Sequence, residues 1–167
     1  MKNFPFKAIN PDTGKEQEFW YSRSMAAAIF VFGEDFEGNV YVLANKRGPG
    51  CPDFVGYWVC PCGYLDYNER LVDAAVRECR EETGVILNPD RVHFMNYNDD
   101  PKENRQNVTF RFTTYLDFPS DSLSNKENEE EETTDIKWIP ISEINNYDWA
   151  FGHKELIVEA LNYHKHD

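Results

Sequence analysis

Three carboxylates, Glu78, Glu81 and Glu82, fall within five residues of a chain whose formal charge is already -13. Like charges one helical turn apart repel by roughly 0.2–0.5 kcal/mol per pair. On a helix advancing about 100° per residue, Val72, Ala75, Val76 and Cys79 make the stripe that faces a core. Arg70, Asp73, Arg77 and Arg80 fall on the far side. Glu78 and Glu82 sit instead at the margin of the apolar stripe, one turn apart, with Glu81 alongside, over roughly a 100° arc. A hard divalent cation would stabilise that grouping. Mg²⁺ takes oxygen ligands at about 2.0–2.1 Å and keeps waters and substrate phosphates in its shell. One such ion adds two positive charges against three negative ones, which lets an acidic protein accept a polyphosphate. The bland alternative is a charged helix laced by Glu–Arg pairs.

The elements that must position these groups are readable in outline. Asp66 or Asn68 can cap the helix, with Glu69 closing a variant capping box on Asp66. The helix runs to Thr83, and Gly84 stops it. Met25 to Gly33 reads as a buried strand and Val40 to Ala44 as the next, followed by a Gly- and Pro-rich loop from Lys46 to Phe54. Tyr57 to Cys60 is a short apolar segment ended by Pro61. Val92 to Tyr97 and Val108 to Phe118 read as strands, the second with an alternating, half-buried pattern. Ile136 to Ile139 is a brief strand closed by Pro140, Ser142 to Asn145 a turn of helix, and Phe151 to His164 an amphipathic helix. Residues 1–23 suggest a hairpin extension turning at Asn10 to Gly14, with Phe6, Ile9, Phe19 and Tyr21 on its arms. Residues 120–135 read as an exposed acidic loop. Without an internal repeat or an interdomain linker, the expectation is one domain over residues 1–167. It is of α/β class, with a mixed sheet covered on both faces.

Composition narrows the function classes. Hydrophobic residues make up 41% and aromatics 15% of 167 residues, enough for a core. The charge and a pI near 4.7 argue against binding nucleic acid or an anionic membrane by simple attraction. The longest apolar run, Met25 to Phe32, is far short of the ~20 residues that span a bilayer. Met1 to Gly14 lacks the apolar stretch of a signal peptide, so a cytoplasmic protein is expected. Cys51, Cys60 and Cys62 lack the paired spacing of a zinc site, and with Cys79 they read as reduced thiols.

The stretch Gly63, Glu69, then Arg77-Glu78-Cys79-Arg80-Glu81-Glu82-Thr83-Gly84-Val85 resembles the signature of the Nudix (MutT-like) hydrolases over 23 residues. Every fixed polar or glycine position is filled. Cys79 occupies a slot that is usually aliphatic, and Cys62 stands where the preceding Pro-Gly-Gly usually has a glycine. Trp58 and Pro61 also look like the approach to this signature. The resemblance implies a Nudix-type α/β/α sandwich and cleavage of a diphosphate linkage in a nucleoside diphosphate derivative. It implies Mg²⁺ or Mn²⁺ held by Glu78 and Glu82, with Glu81 as a further ligand or a water-orienting base, and the Cys62 backbone carbonyl as another ligand. Arg77 and Glu69 resemble the pair that orients the glutamates, or else form a plain salt bridge.

In many relatives a carboxylate from a distant loop is the general base. In the run Glu127, Glu129, Glu130, Glu131, Glu132, the choice by position is Glu132, six residues before Trp138; the alternative is a solvated acidic loop. Arg47 and Arg105 are the candidate phosphate-binding cations. Aromatics between Phe54 and Trp58 either stack on a base or join the core. Pro101 falls near a proline position of ADP-ribose-cleaving relatives, in a context that also makes a turn. ADP-ribose or a nucleotide sugar leads as substrate, with a nucleoside triphosphate next. An isomerase similar to isopentenyl diphosphate isomerase and a non-catalytic nucleotide sensor are the other readings. The resemblance also allows a homodimer.

Overall fold

In a computed structural model that describes residues 3–117, 119, 123–124 and 131–164, the apolar run after residue 23 is the centre of the sheet. This strand, β3 (Ser24–Glu34), follows a separate antiparallel hairpin of β1 (Pro5–Ile9) and β2 (Glu16–Trp20). The hairpin turns where Asn10 Oδ1 accepts from the N–H groups of Asp12 and Thr13.

Strand β3 pairs antiparallel with β4 (Val40–Arg47) and, from Ser24 to Gly33, parallel with β8 (Asn107–Leu116). Beyond β8 lies β7 (His93–Asn98), and beyond β4 lie β5 (Trp58–Val59) and β9 (Thr133–Pro140). A three-residue strand, β6 (Cys62–Tyr64), pairs with Ala26–Ala28 of β3. The sheet is mixed, as the sequence predicts.

Alternation on β3 sends its side chains to two cores. Ala27, Ile29 and Val31 pack with Leu43 and with Ala74, Ala75 and Cys79 of α1 (Leu71–Thr83). Phe30 and Phe32 pack on the other face with Val42, Ile139 and with Ile157 and Ala160 of α2 (His153–Tyr163). Covered on both faces, β3 has no solvent side, which is why its sequence does not alternate. Among the described residues, no helix is long and apolar enough to cross a membrane.

Several boundaries differ from the sequence reading. Lys46 and Arg47 belong to β4 rather than to the loop, and β9 begins at Thr133 rather than Ile136 because it pairs along β4 as far as Arg47. Of the acidic stretch, residues 120–122 and 125–130, including Glu127, Glu129 and Glu130, lie outside the described residues.

Candidate active site

Helix α1 starts later than its polar residues suggest. Arg70 is the N-cap, without a side-chain cap bond. The capping box on Asp66 does form one of its two bonds, from Asp66 N–H to Glu69 Oε2 (3.2 Å), but it closes a turn ahead of the helix. That turn leaves the Glu69 side chain where Arg77, on the helix, can reach it. The C-terminus behaves as predicted. Gly84 takes φ 77 and donates its N–H to Arg80 O, a left-handed cap that side chains rarely tolerate.

Arg77 does not lie on a solvated face, as the helical wheel places it. Its side chain is 22% exposed and is bound on every side. Nε donates to Glu69 Oε1 (2.8 Å), and Nη2 donates to Glu69 Oε2 (3.0 Å) and to Tyr64 O (2.9 Å). Nη1 donates to Glu78 Oε1 (2.8 Å) and to Glu81 Oε2 (3.0 Å). The planar fork thus ties the pre-helix turn, β6 and two signature glutamates into one unit, which a lysine could not reproduce.

Strand β6 packs against Glu78 and Glu82. A β-carbon built on Gly63 would overlap the Glu78 carboxyl group, so this position is glycine because Glu78 occupies the space. Glu82 Oε2 accepts from Cys62 N–H at 3.0 Å. Ile29 N–H bonds Pro61 O, and the register then makes Ala28–Cys62 a non-hydrogen-bonded pair of the ladder. Both the N–H and the C=O of Cys62 therefore turn away from β3, to the side where Glu82 lies.

The electrostatics separate Glu69, Glu78 and Glu82. The Arg77 hydrogen bonds hold Glu69 below the usual carboxylate range. Burial pushes Glu78 up, against the pull of Arg77. Burial, then the neighbouring Glu78, pushes Glu82 well up, although its surface is partly accessible. Arg77, with Arg80 at 3.7 Å from Glu81, sets two arginines against Glu69, Glu78, Glu81 and Glu82, so carboxylates outnumber cations here.

This donor set fits a hard divalent cation. It is all oxygen, it pairs two half-buried carboxylates, and it adds an outward-turned carbonyl at Cys62. On β4, alternation places Asn45 on the face of Leu43 and Arg47, and its buried Oδ1 has no hydrogen-bond partner among the described residues. Among the described residues, no three His, Cys, Asp or Glu residues are grouped closely enough to hold a metal ion by themselves. Such an ion would complete its shell with carbonyl, water and phosphate oxygens.

Glu132 comes close from the far end of the chain. Its carbonyl accepts from Gly48 N–H (2.7 Å) and Cys51 Sγ (3.3 Å), and its charge helps to raise Glu82. A β-carbon on Gly48 would collide with the backbone of Glu131, so that glycine permits the approach. Arg47 acts on Glu82 and Cys62 with the opposite sign. Arg105 is exposed in the turn ahead of β8, near Ser24 rather than near the Cys62 pairing at Ala28. Pro101 starts that same turn.

Trp58 is core, whereas Phe54 and Tyr57 are exposed. Cys60 and Cys79 are buried, and burial pushes both thiols up, Cys79 to about 12. Sequence reasoning missed Asn45 and His153. His153 is buried and its Nδ1 accepts from Cys60 N–H (3.0 Å), which anchors the segment leading to Cys62. A lone histidine at a helix start carries no signal of that contact. A cavity of about 960 Å³, lined by Glu34, Tyr41, Tyr115, Glu143 and His164 among others, is separate from the glutamates. Glu34 lies six residues along β3 from Ala28, roughly 20 Å at the rise of a strand.

Comparison with known proteins places the chain in a family. The sequence profile described as NUDIX domain matches residues 22–160. The m7GpppN-mRNA hydrolase NUDT17 of Danio rerio is 39% identical over 54 residues, 32% of this chain and 18% of that protein. The uncharacterized Nudix hydrolase YvcI of Bacillus subtilis (strain 168) is 30% identical over 98 residues, 58% of this chain and 60% of that protein. The matches thus span less than two thirds of the length of either relative. The NUDIX domain of Shewanella oneidensis NrtR, solved with ADP ribose, shares the fold at a TM-score of 0.71 and 20% identity over 92% of both chains. With the profile matched over most of its length, the chain belongs to the Nudix family.

Proposed function

We propose that this chain is a divalent-metal-dependent hydrolase that cleaves the diphosphate linkage of a nucleoside diphosphate derivative. The observation that carries this reading is the pair Glu78 and Glu82, both raised by burial and both seated against the Cys62–Gly63 backbone. Those two side chains, with the Cys62 carbonyl, would hold Mg²⁺ or Mn²⁺, and Glu81 would add a ligand or orient water. The bound ion would neutralise phosphate oxygens and lower the pKa of a coordinated water. The chain's own groups do the rest. Arg77 keeps Glu78 and Glu81 aimed, and Glu132 accepts a proton from the attacking water. Arg47 offers a guanidinium to the phosphates, and Arg105, further off, is the second candidate cation.

ADP-ribose or a nucleotide sugar leads as substrate, with a nucleoside triphosphate next. The NrtR domain was solved with ADP ribose, a Caenorhabditis elegans protein of the same fold is an Ap4A hydrolase, and the Danio relative is named for mRNA caps. All of these ligands carry a nucleoside on a phosphoanhydride. The test is a panel of such compounds with Mg²⁺ or Mn²⁺, scored for released phosphate products. Glu82→Gln should lower turnover more than about 100-fold, beyond what losing a supporting residue costs, with an unchanged circular dichroism spectrum. A fully active variant would sink the metal assignment. Binding of ADP-ribose without turnover would point to a sensor.

A further inference from the structure

Two aromatic residues with strained backbones meet beside Arg47. Phe54, in the loop after β4, has φ 50, and Phe151, just ahead of α2, has φ 56. Bulky side chains rarely adopt positive φ, and such strain gathers at ligand clamps and active sites. Burial of the rings does not account for it, because Phe54 is 45% and Phe151 44% exposed. The rings pack edge to face with centroids 4.8 Å apart, and Tyr57 meets Phe54 at 5.6 Å. In such pairs the edge of one ring covers one face of the other, and the exposure of all three rings leaves the remaining faces to solvent.

Arg47 joins this cluster to the strand end that meets Glu132. Its Cζ lies 5.0 Å from the Phe151 ring centroid, and Asp53 fixes the guanidinium through Oδ1 (2.6 Å) and its carbonyl (3.0 Å). Its backbone N–H bonds Tyr57 O, so the loop that carries two of the rings is tied to the same residue. The next residue along the chain, Gly48, donates its N–H to the Glu132 carbonyl at 2.7 Å. Arg47 therefore stands between an exposed aromatic wall and the backbone contact that brings Glu132 to the site.

We propose that Phe54, Tyr57 and Phe151 form the wall on which the base of the nucleotide substrate stacks, with Arg47 between base and diphosphate. This rests on reading the site as a nucleotide diphosphatase. A purine or pyrimidine fits such a wall because it presents a flat π-face, and Arg47 adds a cation–π partner. The wall selects for a base and not for a particular one, since every base has that face.

The test uses Phe54→Gly and Phe151→Gly, which remove a ring and also relieve the positive φ. The probes are AMP and inorganic pyrophosphate, with Mg²⁺ present, measured by calorimetry alongside ADP-ribose turnover and thermal melting. Each variant should weaken AMP roughly 5- to 150-fold, the range of one lost stacking contact, and weaken pyrophosphate far less. Melting temperature should hold or rise. Trp20→Ala, an exposed aromatic on β2, should change neither affinity. Unchanged AMP affinity, equal losses for both probes, or a drop in melting temperature with AMP affinity kept would overturn the wall. If wild-type protein turns over no nucleotide yet binds AMP through these rings, the hydrolase reading fails and the wall stands. If it turns over nucleotides and the glycine variants keep their AMP affinity, the wall fails and the hydrolase stands.

Discussion

His153 should make the protein lose stability on mild acidification. Its Nδ1 accepts the Cys60 N–H, so the neutral ring carries its proton on Nε2. Protonating Nδ1 would set one N–H against another inside the core. Burial first, then the charges of Arg111 and Arg47, holds the imidazole down at about 3, against 6.5 in the unfolded chain. Between those values the unfolded state binds a proton that the native state refuses, so stability falls as pH falls. At about 1.4 kcal/mol per pH unit, the full effect is about 5 kcal/mol, and the part lost between pH 7 and pH 5 is about 2 kcal/mol. For a protein of this size that is roughly 4–8 °C in melting temperature. Glu78 and Glu82, raised by burial, contribute the opposite slope, with stability present at low pH and lost as pH rises through their folded values. That slope is common to wild type and His153→Asn, and it cancels in their difference. The asparagine offers an acceptor to Cys60 N–H and does not titrate. Melting curves at pH 7, 6 and 5 should show the wild-type advantage shrinking by that amount. Parallel curves would refute the reasoning.

The other predictions concern the carboxylate site. Gly63→Ala should leave melting nearly unchanged and lower turnover about 100-fold, the cost of displacing a reacting group by about 1 Å, because the new methyl takes the place of the Glu78 carboxyl. Wild-type turnover would show that Glu78 need not sit there. Arg77→Lys keeps the charge and loses the two-pronged contact with Glu69 and the bond to Tyr64 O. It should reduce metal affinity or activity 10- to 100-fold. Full metal affinity and full activity in that variant would show that a simple charge suffices. Mg²⁺ or Mn²⁺ at a hundred times its dissociation constant should stabilise the wild type by about 2.7 kcal/mol. Glu82→Gln should abolish that gain, and a wild-type melting curve indifferent to either ion would remove the metal from the mechanism.

Much of the scaffold is local and was readable along the chain. The helix end at Gly84 follows from the left-handed cap that glycine alone adopts cheaply. The buried strand at Ser24–Glu34 follows from an unbroken apolar run. The start of α1 was not readable, because the same polar residues that cap a helix can also close a turn before one, as Asp66 and Glu69 do. Strand β6 was invisible because three residues carry no period, although it holds both the space for Glu78 and the partner of Glu82.

The sequence by itself determined which carboxylates share one edge of α1, since residues three and four apart on a helix are neighbours wherever that helix lies. Only the tertiary structure decided what faces them. Arg77 turns inward because Glu69 and Tyr64 wait on a neighbouring turn and strand. Glu132 reaches Gly48, and Phe151 reaches Phe54, across long stretches of chain. Those meetings depend on the order and register of strands in a mixed sheet, and no spacing along the chain encodes them.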